Sequence, residues 1–281
     1  MSISRRHFCA GLLLGALPLR TIAAPRTLTL GLFPNLPVNK LVEIYQPLAN
    51  YLTQQLGQPV RLSSAKDFRS FYLATRNKEF DLIVTAPNLA WLAMTESHYQ
   101  PLVRYAKRVS GILVSAKTSH IDKVNACRGK TIAFTDPLTI VYQLGVSYLK
   151  TQGLQADTDY LPIPYNNHTN AALSVMLGKA DCAMIGQLPY AQMSVEVQSS
   201  LRIIAHTPEV TSQFILANPD LSTAVRDNIR TALIRYAYTT TGAAFIDTQR
   251  LGGIINAVPA DLATLQTYGL ITQAQLSAPT P

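Results

Sequence analysis

From Arg26 onward the chain alternates short apolar runs with stretches whose apolar residues recur at helical spacing, and midway it begins that alternation again. Arg26 to Phe33 alternates Thr and Leu and predicts a strand. Lys40 to Leu56 places Leu41, Ile44, Tyr45, Leu48, Tyr51 and Leu52 on one helical face, closed by Gly57. Val60–Ser63 predicts a strand, Asp67–Asn77 a helix begun by a good cap residue, Asp81–Thr85 a buried strand, and Asn88–Met94 a capped helix. A β-α-β-α-β-α order demands a mostly parallel sheet covered on both faces.

The second round runs through strands at Ile112–Val114, Thr131–Phe134, Tyr160–Pro164, Cys182–Ile185 and Leu201–Ala205. Helices over Leu138–Thr151, His168–Leu177 and Pro189–Val197 lie between them. After Phe214–Leu216 the pattern is helical to the end, with Leu221–Tyr238 the longest element. No Gly/Ser or Pro-rich linker separates the two rounds, so strands must pass between them. Tyr105–Val114 and His206–Leu216 are the expected crossings. The expected division is an export segment at 1–24, one lobe from 25–108 plus 212–281, and a second lobe from 109–211. Open α/β sheets take ligands beyond their strand C-termini, so two such edges facing across a hinge form a clamshell cleft.

Residues 1–24 fit no fold. Arg5 and Arg6 precede a 12-residue apolar stretch from Phe8 to Leu19, and Thr21-Ile22-Ala23-Ala24 provides a small-residue exit. This is the grammar of a secretory signal peptide cleaved near Ala23-Ala24, too short for a membrane anchor. Ser4-Arg5-Arg6-His7-Phe8 also resembles the twin-arginine export signal. The expected location is the periplasm. The formal charge of +8 then shrinks to about +5, because Arg5, Arg6 and Arg20 leave and no acids do. With no basic run longer than Lys107-Arg108 and no interleaved aromatics, nucleic-acid binding is excluded.

Two cysteines remain beyond that segment, Cys127 and Cys182. Cys127 precedes the Thr131 strand and Cys182 opens another; if these strands are parallel neighbours, both sulfurs lie at one N-terminal sheet edge. A Cys127–Cys182 disulfide is the expectation for an exported protein. No Cys or His has a second ligand at metal-site spacing, and no catalytic triad context or Gly-rich phosphate loop is present. Neither metal, cofactor nor catalysis is expected.

Further segments carry a family resemblance: Pro47-Leu48-Ala49-Asn50-Tyr51-Leu52 with Leu56-Gly57; Asp67-Phe68; Phe80-Asp81-Leu82-Ile83 with Pro87; Arg128 to Phe134 with Asp136-Pro137; and His168 thirteen residues before Asp181 in Gly178-Lys179-Ala180-Asp181. In this order and spacing the chain resembles the periplasmic substrate-binding proteins of ABC importers, in the phosphate/phosphite/phosphonate-binding group. The resemblance implies an α/β type II periplasmic-binding-protein fold, two lobes joined by two hinge strands. It also implies a non-catalytic, monomeric binder of a small molecule.

The implied ligand residues are Phe68, Thr85, Thr139 and His168. Family members carry a Ser-Thr-Ser-Gly run after Asp-Pro; here it is Leu138-Thr139-Ile140-Val141-Tyr142, and only Thr139 keeps a hydroxyl. The usual pocket tyrosines become Phe68 and Thr85, while the family histidine persists as His168. Fewer donors favour a weak anion or a partly apolar solute over a phosphonate. The implied partner is a membrane permease; a membrane sensor kinase is the alternative.

Overall fold

A computed structural model describes residues 26–277, so the expected export segment lies outside the described residues. The first round of elements is β1 (Leu28–Leu32), α1 (Val38–Leu56), β2 (Val60–Ser64), α2 (Phe68–Arg76), β3 (Leu82–Thr85), α3 (Pro87–Ser97) and β4 (Gln100–Tyr105). The chain crosses through β5 (Arg108–Val109) into β6 (Gly111–Ala116), then a 3-10 turn at Val124–Cys127. The second round follows: β7 (Lys130–Phe134), α4 (Ile140–Thr151), β8 (Tyr160–Pro164), α5 (His168–Met176), β9 (Cys182–Gly186), α6 (Gln187–Ala191), α7 (Val195–Ser200) and β10 (Leu201–His206). It returns through β11 (Val210–Thr211) and β12 (Phe214–Ala217). The chain then adds α8 (Thr223–Tyr236), α9 (Thr240–Thr248), β13 (Ile254–Asn256), α10 (Pro259–Ala263) and α11 (Gln266–Ser277).

Two sheets result, in the orders β13-β4-β12-β3-β1-β2 and β10-β6-β9-β7-β8, with β5 and β11 forming a two-stranded antiparallel ribbon between them. The fold is the expected α/β class, but the sheets are mixed rather than mostly parallel. Only β1, β2 and β3, and likewise β7, β8 and β9, pair in parallel. A strand that arrives from the other lobe enters its sheet from the interlobe end, so β12 runs against β3 and β4, and β6 against β9 and β10.

Two local expectations also fail. Instead of one helix over 189–197, α6 stops at Ala191 and Ser194 starts α7 by accepting the Val197 amide. Nor is the end of the chain all helical. The three residues of β13 pair with β4, too short a run to show period-2 alternation.

The two lobes repeat one construction. Asp67 caps α2 through the Ser70 amide (2.7 Å), and Asn167 caps α5 through the Asn170 amide (2.8 Å). Bonding to that amide holds the Asp67 carboxyl below the usual carboxylate range. Asp81, ahead of β3, accepts the Thr29 amide of β1 (2.8 Å). Asp181, ahead of β9, accepts the Thr131 amide of β7 (2.9 Å). Each carboxylate thus pins the entry of a central strand. Phe68 and His168 thereby occupy the same position in their lobes, the first residue of the helix after the second parallel strand.

Cys127 and Cys182 do lie together at the N-terminal edge of the second sheet, both buried. The structure does not show the expected bond: it holds them as free thiols with sulfurs 3.4 Å apart, a contact distance, whereas a disulfide needs about 2 Å.

The C-terminal helix α11 lies along α3. Arg69 bonds the last carbonyls of α11, at Gln275 (3.2 Å) and Leu276 (2.5 Å), and Gln273 reaches Glu96 (2.8 Å). At Gly269 the helix backbone lies against the Trp91 ring so closely that a Cβ would fall 2.2 Å from it. Gly269→Ala is therefore expected to cost about 1–3 kcal/mol by overpacking, despite alanine's better helix propensity. Trp91 is the sole tryptophan, so its fluorescence during urea unfolding reports the change. Stability equal to or above that of the wild type would refute this packing.

Candidate functional site

The parallel strands of both sheets end at the interlobe side. Phe33 follows β1, and Thr85 ends β3. In the second lobe Thr135 and Asp136 follow β7, Asn167 and His168 follow β8, and Gln187 follows β9. One apolar cluster runs from Phe33, Phe68 and Leu89 of the first lobe to Leu138, Ile140 and Val141 of the second. The lobes therefore meet across this edge. The most direct tie is Asn88, fully buried on α3, which donates to the Leu138 carbonyl (2.9 Å) and to the Thr272 hydroxyl of α11 (2.9 Å).

Phe68 is buried and packs on Phe33 with ring centroids 6.2 Å apart, forming an aromatic wall at the start of α2. Opposite it in the fold's symmetry is His168. Its Nδ1 accepts the Gly186 amide (3.2 Å), which puts the proton of the neutral ring on Nε2. Burial pushes the imidazole pKa down to about 4, so at neutral pH it is an uncharged donor.

Thr139 is the N-cap of α4, and its hydroxyl is fully used. It donates to the Asp136 carbonyl (2.8 Å) and accepts from Thr135 (2.9 Å) and the Tyr142 amide (3.3 Å). One proton and two lone pairs are all a hydroxyl has. The Thr139 amide also bonds Asp136 O, and the Leu138 amide bonds the Asp136 carboxylate (2.7 Å). The turn leaves the Ile140 and Val141 amides without partners among the described residues, at the positive end of a 12-residue helix.

The Thr85 side chain turns away from this edge into the lobe. It is fully buried, and its hydroxyl has no partner among the described residues. With Thr75, Leu89 and Ser97 it lines a cavity of about 10 Å³ between α2 and α3. That is room for one water-sized group, and the position is interior to the lobe.

Two polar residues at the edge escape sequence reasoning. Asn88 suggests a helix cap, yet Ala86 occupies the N-cap and the amide bridges the lobes. The Gln187 side-chain oxygen accepts from the Ser110 hydroxyl beside the crossing strand β5 (2.7 Å), and the Gln187 backbone N–H donates to the Ser110 carbonyl (3.0 Å). Its only sequence signal is being the first residue beyond a parallel strand. Among the described residues no cluster of three or more His, Cys, Asp or Glu side chains is placed to hold a metal ion.

Residues 30–262 match the family described as ABC transporter, phosphonate, periplasmic substrate-binding protein. Among solved structures, PhnD1 of Prochlorococcus marinus, in complex with methylphosphonate, superposes with a TM-score of 0.78 at 13% identity. That match covers 88% of this chain and 98% of the other. A binding protein component of an ABC phosphonate transporter from Pseudomonas aeruginosa gives 0.73 at 17% identity, covering 92% and 91%. A Xanthomonas citri protein bound to ATP gives 0.75 at 18% identity, covering 88% and 97%.

Proposed function

The chain belongs to the phosphonate-type periplasmic substrate-binding proteins of ABC transporters, and we propose that it captures a weak anion or partly apolar small molecule between its lobes and presents it to the permease. The lobes would close as two bodies, 25–108 plus 212–281 against 109–211, about the β5–β11 ribbon. Closure makes the outer faces a report of ligand occupancy.

The observation that carries the ligand class is the donor inventory at the start of α4. A phosphonate dianion needs several donors and positive charge to offset its lost hydration. Here the Thr139 hydroxyl is consumed by its own turn, and Leu138, Ile140 and Val141 are buried apolar groups. His168 adds one uncharged N–H. Two amides, one imidazole and the Phe68 wall suit a singly charged oxyanion attached to an apolar body. The structural neighbours hold methylphosphonate and ATP, so this fold accommodates anions of quite different shape.

A thermal-shift screen against phosphonates, phosphate, sulfonates, carboxylates and neutral metabolites tests the reading. A true ligand at a hundred times its dissociation constant adds about 2.7 kcal/mol, a shift of roughly 5–10 °C. Two variants place it. His168→Ala removes the imidazole. Ile140→Pro deletes one amide at the first helical position, where proline is tolerated after the extended Thr139. Both should abolish the shift. Preferential stabilisation by methylphosphonate would overturn the ligand class, and no response to any solute would overturn capture itself.

A further inference from the structure

We propose that Cys127 and Cys182 are joined as a disulfide in the exported protein, and that this bond forms before the second lobe closes. Cys127 ends the 3-10 turn ahead of β7, and Cys182 opens β9. The two strands are parallel neighbours, with Ile132 opposite Cys182. Both side chains have no exposed surface, and the sulfurs face each other at 3.4 Å. A thiol is a weak donor and a weak acceptor, so a buried pair gains little from such a contact while reduced. An approach of little more than 1 Å completes a covalent link. Membership of a periplasmic family places the pair in an oxidising compartment.

The chemistry is thiol–disulfide exchange. Before the lobe packs both thiols meet solvent and either can lead, for instance Cys127. As thiolate it attacks one sulfur of a donor disulfide R–S–S–R, either a small-molecule disulfide or the exposed disulfide of an oxidoreductase. That forms a mixed disulfide and releases the first RS⁻. The Cys182 thiolate then attacks the Cys127 sulfur, forms the internal bond and expels the second RS⁻. Two protein thiols are oxidised, one external disulfide is reduced to two thiols, and the two protein protons pass to the departing thiolates. In the closed lobe no donor reaches either sulfur, so exchange belongs to the folding chain. Once lobe 2 packs, the redox state is trapped.

Its position gives the bond a purely structural effect. It staples the N-terminal edge of the β7–β9 pair, while the α4 and α5 N-termini lie at the opposite edge. Closing a loop between residues 55 apart constrains the unfolded chain strongly. The oxidised protein should melt about 10 °C above the same protein reduced in guanidinium and refolded.

The test starts from protein isolated from the periplasm without reductant, acid-quenched, then unfolded in guanidinium with N-ethylmaleimide. Peptide mass mapping should find Cys127 and Cys182 unlabelled and linked to each other. Labelling of both would overturn the proposal. As a second arm, reduction and refolding should lower the melting temperature of the wild type but leave the Cys127→Ser/Cys182→Ser double variant unchanged. Equal melting of oxidised and reduced wild type would overturn it as well.

Discussion

Asp261→Ala is expected to lower folding stability by about 3 kcal/mol or more, the typical cost of stranding one member of a buried ion pair. The Asp261 carboxylate lies 2.8 Å from Arg104 Nε, and the two side chains are only 11% and 16% exposed. The same carboxylate accepts the Val258 amide (2.9 Å), closing the first turn of α10, and the Asp261 carbonyl accepts the Thr211 hydroxyl of β11 (3.2 Å). One residue therefore joins β4, the C-terminal helices and the interlobe ribbon. Removing it leaves a guanidinium among buried neighbours with no counter-ion. Replacing both partners with apolar residues, as Arg104→Met with Asp261→Leu, should cost less than the single change because no charge is stranded. Urea unfolding of the wild type, the two single variants and the double variant measures this. A single-variant loss below about 1 kcal/mol, or a double variant worse than Asp261→Ala, would show the pair to be solvated.

Most of the architecture was legible because it rests on periodicity and on caps. Leu41, Tyr45, Leu48 and Leu52 are the buried stripe of α1, and Gly57 ends it in the left-handed conformation at φ 64°. Asp67 caps α2 through its side chain, and Tyr160–Pro164 forms β8 over those very residues. Strand direction was not legible, since apolar spacing records which face a side chain takes and nothing about which way a strand runs. The reversed direction of β6 and β12, the strands that arrive from the other lobe, follows from tertiary crossing. The break between α6 and α7 was equally hidden, because Ser194 is a cap only when the helix before it has ended.

For the candidate site, sequence can name positions but not the bonds their side chains make. Phe68 and His168 are named by the family resemblance, and the structure adds that they are matching positions of the two lobes. Thr139 is a hydroxyl at a family position, but sequence does not show where a hydroxyl's proton goes. Asp136 O, Thr135 and the Tyr142 amide take all of it. Thr85 closes a strand whose last residue turns inward, a matter of pleat phase that one residue decides. Asn88 bridges residues far apart in the chain, and no local pattern announces such a contact.

His168 should make stability fall on mild acidification, in a window set by its own titration. Its folded-state pKa is pushed down to about 4 by burial, against 6.5 for the ordinary ring. Above pH 6.5 the ring is neutral in both folded and unfolded chains, and its contribution is fully present. Between 6.5 and 4 the unfolded chain takes up a proton that the folded chain refuses, so stability drops as pH falls. Below pH 4 both states are protonated and the full deficit remains, at most about 3 kcal/mol. Carboxylates such as Asp67, whose capping bond holds its pKa low, add losses of their own in acid. The difference between wild type and His168→Asn isolates the imidazole. The variant keeps an acceptor for the Gly186 amide but has nothing to protonate. Melting curves collected from pH 7.5 to 4 should converge for the two proteins as pH decreases, the wild type losing its advantage. Parallel curves across that range would mean that His168 titrates normally. The imidazole would then offer a ligand positive charge in mild acid, and the case for a weak-anion site would lose its electrostatic half.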